Sequence, residues 1–293
     1  MSGTKHVVGF SGGIDSQACA LLVRQRYPAE DVILLNNDAG GNENPVNEEF
    51  IEKYSRTVHP VTRVTSLVRD FREWERDRDG RLTQRPRDTF APDDPLTFDR
   101  LAHIMGRFPS SRAQFCTIFL KVAPQRRWLR ENLTDQGIDF VRYVGVRRDE
   151  SKKRKDTPDS WWDDANDCEV RAPIADWTKE QCFAFVQAAG EEFNPMYRMG
   201  FSRVGCSPCV NSTKEDIREW SARFPEMVEK VRQWEAETGK NFFPPCVPSG
   251  HYAMVDEVIA WSRTTRGGKQ FALPLVEADA ASGTCVSKYG LCE

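Results

Sequence analysis

The most constraining stretch of the chain is its first turn: the apolar run Val7-Val8-Gly9-Phe10, then Ser11-Gly12-Gly13-Ile14-Asp15-Ser16, then apolar residues at helical spacing through Ala18, Leu21, Leu22 and Val23. A short buried strand, a glycine loop and a helix follow from that pattern. The loop opens the helix, so its backbone N–H groups and the positive end of the helix dipole are presented together, which makes an anion site. Two adjacent glycines let phosphate oxygens approach the main chain, and Ser11 and Ser16 add hydroxyl donors. Neither Gly-x-x-x-x-Gly-Lys-Ser/Thr nor a strand-following Gly-x-Gly-x-x-Gly occurs, which disfavours those two nucleotide-binding modes.

A second apolar run, Val32-Ile33-Leu34-Leu35, ends in Asn36-Asn37-Asp38-Ala39-Gly40-Gly41 and leads into a helical pattern from Asn47 to Thr57. Strands alternating with helices predict an α/β fold, a doubly wound parallel sheet with ligands at the carboxyl ends of its strands. Asp38 follows the second of these runs, and Ile138–Val146 reads as a later core strand that runs straight into Arg147. The expected organisation is a nucleotide-binding domain over 1–172 with a charged, solvated insertion at 72–100. A mainly helical, cysteine-containing region over 173–293 follows, with helical patterns at Lys179–Ala189 and Lys214–Glu237. The insertion reads as a surface loop, with a lid or partner surface as the alternative.

The 293 residues carry 41 Lys+Arg against 44 Asp+Glu, a net charge of −3. That is not the balance of a basic nucleic-acid coat, so any polyanion must meet a local patch. Arg147, Arg148, Lys152, Lys153 and Arg154, at the end of the later strand, form such a patch, and Lys121, Arg126, Arg127 and Arg130 extend it; a solvated charged face is the bland alternative. No run approaches the roughly 18 apolar residues of a membrane span, and a cytoplasmic location is expected. Nine cysteines without a secretion signal point to reduced thiols or metal ligands. Cys19, Cys168 and Cys182 read as ordinary small apolar residues. Cys206-x-x-Cys209 has chelating spacing, and Cys116 completes three thiolates if the fold brings it near; zinc and unmetallated thiols remain alternatives. Trp161 and Trp162 read as packing residues more than as a base-stacking platform.

The segment Ser11–Ser16 resembles the PP-loop family of ATP pyrophosphatases, whose Ser-Gly-Gly-x-Asp-Ser it matches at every fixed position. Cys116-Thr117-Ile118-Phe119-Leu120-Lys121 with Pro124, Gly145–Ser151 with Arg154, Pro173–Thr178, Asn194-Pro195-Met196-Tyr197 and Gly205–Cys209 are similar to the branch containing phosphoadenylyl-sulfate reductases and the ATPases of DNA phosphorothioation systems. The resemblance implies an adenine-nucleotide α-hydrolase-like fold, ATP bound by Ser11 to Ser16, Asp38 and Gly145, Mg²⁺ near Asp15, and catalytic roles for Asp15, Lys121, Arg147 and Arg148. It also implies a [4Fe–4S] cluster on Cys116, Cys206 and Cys209, with Cys246, Cys285 or Cys292 as candidates for a fourth ligand. Cys285 and Cys292 alternatively form a mobile sulfur carrier.

Phe115-Cys116 replaces the adjacent cysteines of cluster-bearing reductases. Lys288-Tyr289-Gly290-Leu291-Cys292-Glu293 replaces the reductases' Glu-Cys-Gly-(Ile/Leu)-His tail. These details favour adenylylation of a nucleic-acid phosphate, DNA above all, with sulfur from a cysteine desulfurase or other donor and further modification-system subunits as partners; no membrane partner is expected, and a homodimer is left open. The alternatives are a sulfonucleotide reductase with Cys292 as nucleophile, and a nucleotide-bound iron–sulfur scaffold.

Overall fold

The computed structural model describes residues 3–79, 87–247 and 250–265. Its frame is a six-stranded sheet of order β3-β2-β1-β4-β6-β5. The strands are β1 (Lys5–Gly9), β2 (Val32–Asn37), β3 (Val61–Val64), β4 (Phe140–Tyr143), β5 (Ser160–Asp163) and β6 (Cys168–Arg171). Every pairing is parallel except β5 with β6. Successive side chains on a strand point to opposite faces, and the core follows that rule. Val8 and Leu34 pack into a cluster with α1 (Ile14–Arg26), α2 (Pro45–Thr57) and α7 (Lys179–Ala188), while Val7 and Leu35 pack on the other side with Leu129 and Leu133 of and after α6 (Ala123–Asn132). The sheet is thus covered on both faces, the doubly wound arrangement predicted from the alternating pattern.

A third apolar cluster joins α3 (Val68–Asp79), α4 (Phe98–Met105) and the short α5 (Phe115–Thr117) to α8 (Lys214–Arg223), α9 (Pro225–Thr238) and α10 (Val255–Ser262). The helical region beyond 173 therefore shares its core with residues from the first half of the chain. The stretch expected to be a solvated insertion, 72–100, is packed in part: Leu96 and Phe98 are buried in this cluster, and Arg72 grips the buried Asp88 through Nε at 2.7 Å and Nη2 at 2.9 Å. Composition does not reveal that this pair turns inward; residues 80–86 lie outside the described ones.

Two further differences have local causes. The helical pattern Lys214–Glu237 is two helices, because Pro225 has no N–H to continue the ladder and starts α9 as its first residue. On the edge strand β5, Trp161 packs against the core as expected, whereas Trp162, pointing to the other face, is 58% exposed. Cys19, Cys168 and Cys182 are buried, as ordinary apolar residues would be. Among the described residues no helix is long and apolar enough to cross a membrane.

Candidate functional site

The strand order reverses between β1 and β4, and at such a switch point the loops leaving the two strands part to leave a crevice. A solvent-open cleft of about 520 Å³ lies there, lined by Gly9, Phe10, Ser11, Ser16, Leu35, Asn36, Asn37, Glu43, Lys121, Gln125, Val144 and Gly145. Gly145 brings β4 onto the phosphate loop. A Cβ at that position would stand 2.8 Å from the carbonyl carbon and oxygen of Asp15, so only glycine permits the approach.

The loop is held in a preformed turn. Ser16 Oγ donates to the Gly13 carbonyl at 2.8 Å and accepts the Ser11 N–H at 3.2 Å. Gly12 has φ of +83°, and a Cβ there would lie 2.2 Å from Asn47 Oδ1. Asn47 Nδ2 donates to the Ser11 carbonyl, Asn194 Nδ2 donates to Asn47 Oδ1 at 2.8 Å, and the Ile14 N–H donates to Tyr197 Oη at 2.9 Å. Gly13 caps α1 without a side chain, while the Ile14 N–H is taken by Tyr197, so an anion at this helix start meets the N–H groups beside that bond. Sequence reasoning assigned no role to Asn47, Asn194 or Tyr197; the motif Asn194–Tyr197 was the available signal.

Asp15 is placed differently from the expectation that it faces metal or phosphate. It is wholly buried and off the cleft wall, with Oδ2 accepting Arg147 Nε at 2.7 Å. Arg147, 5% exposed, also pairs with Asp149. Both residues sit where α1 and the loop after β4 converge, so their charges meet each other across that seam. Arg148 points elsewhere too: it donates to the Thr157 carbonyl at 2.8 Å and pairs with Asp159 and Asp176. Of the basic cluster, Arg154 is buried beside Glu150, whereas Lys152 and Lys153 are exposed. Asp38 Oδ1 accepts the Gly40 N–H at 3.0 Å inside the turn after β2 and is likewise absent from the wall of the cleft.

Lys121 is the basic residue that lines the cleft. It lies on a π-helical turn, Ile118–Val122, between α5 and α6, an irregularity often found at functional positions. Glu43 is the carboxylate on the wall, missed by sequence reasoning. Burial pushes its carboxyl up to about 7, with the Lys121 charge and a hydrogen bond from Asn47 opposing.

Cys116, Cys206 and Cys209, distant in sequence, line a second cavity of about 530 Å³ that also has Lys121 in its wall. The loop after β2 is sewn to the cysteine loop. Glu43 pairs with Cys206 as an isolated β-bridge, the Ser207 N–H donates to the Asn42 carbonyl at 3.0 Å, and Asn42 Nδ2 donates to the Pro208 carbonyl at 3.1 Å. Cys209 Sγ accepts the Asn211 N–H at 3.4 Å. Among the described residues no three His, Cys, Asp or Glu side chains converge on a single-ion position. The structure thus brings the three thiols to one cavity wall. Cys246 is not in that wall, and Cys285 and Cys292 lie outside the described residues.

Residues 94–212 match the family model of the phosphoadenosine phosphosulfate reductase domain. A protein of Escherichia phage 186, described as an uncharacterized 37.8 kDa protein in the gpa 5′ region, is 28% identical over 99% of this chain and 97% of its own length. The adenosine 5′-phosphosulfate reductase of Allochromatium vinosum is 32% identical over 38% of this chain; the match spans 43% of that reductase, under half its length. Among solved structures, the phosphoadenylyl-sulfate reductase of Candida auris in its phosphate complex superposes with a TM-score of 0.46 at 13% identity, covering 70% of this chain and 82% of that one.

Proposed function

We infer that this chain, whose residues 94–212 belong with the phosphoadenosine phosphosulfate reductase domain, is an enzyme that holds an adenine nucleotide by its phosphates at Ser11–Ser16 and works on sulfur beside it. One observation carries the reading: the phosphate-loop cleft and the three-cysteine cavity share Lys121 in their walls. A cation between a phosphate cradle and a set of thiols stabilises charge that develops as a group leaves the nucleotide's α-phosphate. The loop N–H groups and the hydroxyls of Ser11 and Ser16 orient the phosphates, while the apolar walls Phe10, Leu35 and Val144 limit water. Mg²⁺, if it accompanies the nucleotide, has Glu43 as the carboxylate on this wall, not Asp15. Cys116, Cys206 and Cys209 would hold an iron–sulfur cluster, which supplies electron-rich, iron-bound sulfur when present.

Two reactions fit. Reduction of adenylyl sulfate or its 3′-phosphorylated form is supported by the domain match and by relatives named adenosine 5′-phosphosulfate reductase. In that reaction a thiolate takes the sulfonyl sulfur and AMP, or its 3′-phosphorylated form, leaves. The second is adenylylation of a nucleic-acid phosphate by ATP, after which sulfur displaces AMP. It is favoured by Phe115-Cys116 in place of paired cysteines. Purified protein given each sulfonucleotide with a thiol reductant, and separately ATP with and without DNA, tests both. Sulfite release supports the first and pyrophosphate release the second. Neither product from cluster-loaded protein refutes both and leaves a nucleotide-bound scaffold.

A further inference from the structure

The cleft is lined by the polar Ser11, Ser16 and Lys121 and by the apolar Phe10, Leu35 and Val144, beside the ends of β1, β2 and β4. Asn36, near the end of β2, lines this cleft and is 2% exposed. Its Nδ2 donates to the Phe10 carbonyl at 2.8 Å. A main-chain carbonyl only accepts, so that bond identifies the nitrogen and makes the other atom of the amide the oxygen. This Oδ1 is buried and receives no hydrogen bond. The adjacent Asn37 is fully engaged, since its Oδ1 accepts from Gln125 Nε2 at 2.9 Å and its Nδ2 donates to the Lys121 carbonyl at 3.2 Å. Among the side chains lining the cleft, only Asn36 contributes a buried oxygen without a donor. Buried acceptors are nearly always satisfied, and one left over in the wall of a cleft is available to a donor that a ligand brings.

Resting on the adenine-nucleotide reading above, we propose that Asn36 is the base-reading residue of this site, its Oδ1 accepting the exocyclic 6-amino group of the purine. With the phosphates at the loop, the flat base occupies the apolar part of the cleft, and its amino edge meets Asn36. The carboxamide can serve this role because its nitrogen is already spent on Phe10 and cannot rotate inward to favour the opposite pattern. A 6-oxo purine presents an acceptor at the same position, so two oxygens would face each other without a proton between them. The site therefore selects 6-aminopurine nucleotides by a side chain and not by shape alone.

Equilibrium binding of three triphosphates to the full chain tests this: ATP, purine riboside 5′-triphosphate, which lacks only the amino group, and inosine 5′-triphosphate. The unaltered protein should bind ATP about tenfold more tightly than purine riboside triphosphate, the worth of one hydrogen bond, and inosine triphosphate more weakly still. Asn36→Ala should bring ATP and purine riboside triphosphate to the same affinity, leaving the latter within about twofold of its original value. Equal binding of those two ligands by the unaltered protein overturns the proposal without any mutant, and so does an Asn36→Ala variant that keeps the original ratio. If none of the three binds the unaltered protein, the nucleotide reading fails and this one with it, an outcome distinct from binding without discrimination.

Discussion

Asp15→Ala should destabilise the folded chain by about 3 kcal/mol, because it leaves a guanidinium buried without its main counter-charge. Asp15 is fully buried, Arg147 is 5% exposed, and the two meet at 2.7 Å. Deleting one partner of such a pair costs about 3–5 kcal/mol, since the remaining charge stays desolvated. Arg147 retains Asp149, a half-exposed carboxylate, which places Asp15→Ala at the low end. Arg147→Ala strands a carboxylate whose Oδ1 already accepts no hydrogen bond, so it belongs at the high end, about 5 kcal/mol. The double variant removes both charges, and its loss should fall short of the sum by about 2–3 kcal/mol. Thermal unfolding followed by circular dichroism reads this directly. At about 2–4 °C per kcal/mol for a large domain, Asp15→Ala should lower the midpoint by roughly 6–12 °C. A loss below about 1 kcal/mol, or strict additivity in the double variant, would falsify the structural role given to this pair.

Gly12→Ala puts a side chain at φ +83° and 2.2 Å from Asn47 Oδ1, so it should cost at least about 1–3 kcal/mol in strain and abolish phosphate binding; calorimetric titration with ATP at unchanged affinity would contradict the loop assignment. Glu43 holds its proton in the folded state up to about 7, against 4.5 ordinarily. Between those values the folded chain binds more protons than the unfolded one, so stability should fall as pH rises through the window. Glu43→Gln should flatten that dependence in metal-free protein, and an unchanged pH profile of the unfolding midpoint argues against the assignment. Anaerobically purified protein should contain iron and be coloured, and Cys116→Ser, Cys206→Ser or Cys209→Ser should each lower the iron content while Cys182→Ser leaves it unaltered. A colourless, iron-free parent protein refutes the cluster.

Local signals were legible wherever one short segment dictates its own conformation. The period change from Val7–Phe10 to Ala18–Val23, with two glycines between, encodes a strand, an anion-binding turn and a helix, and the structure has them as β1, the Ser11–Ser16 loop and α1. Cys206 and Cys209 lie three apart, so their joint use of one cavity wall required no tertiary information. Long-range pairing was not legible. Asp15 and Arg147 both read as groups facing phosphate, because sequence shows their charge but not that the seam between α1 and the loop after β4 brings the two charges together and buries them. The charged stretch after Arg72 read as solvated for a similar reason, since its Asp88 pairs inward. Asn36, near the end of an apolar strand, and Glu43, in the loop beyond it, carried no local signal beyond polarity. The sequence by itself thus determined the alternation of strands and helices and the place of the phosphate loop, which rest on hydrophobic period and glycine conformation. Only the tertiary structure decided which charges meet one another and which polar atoms remain for a ligand, because desolvation and pairing depend on neighbours brought from elsewhere in the chain, 16 residues away for Arg72 and Asp88 and 132 for Asp15 and Arg147.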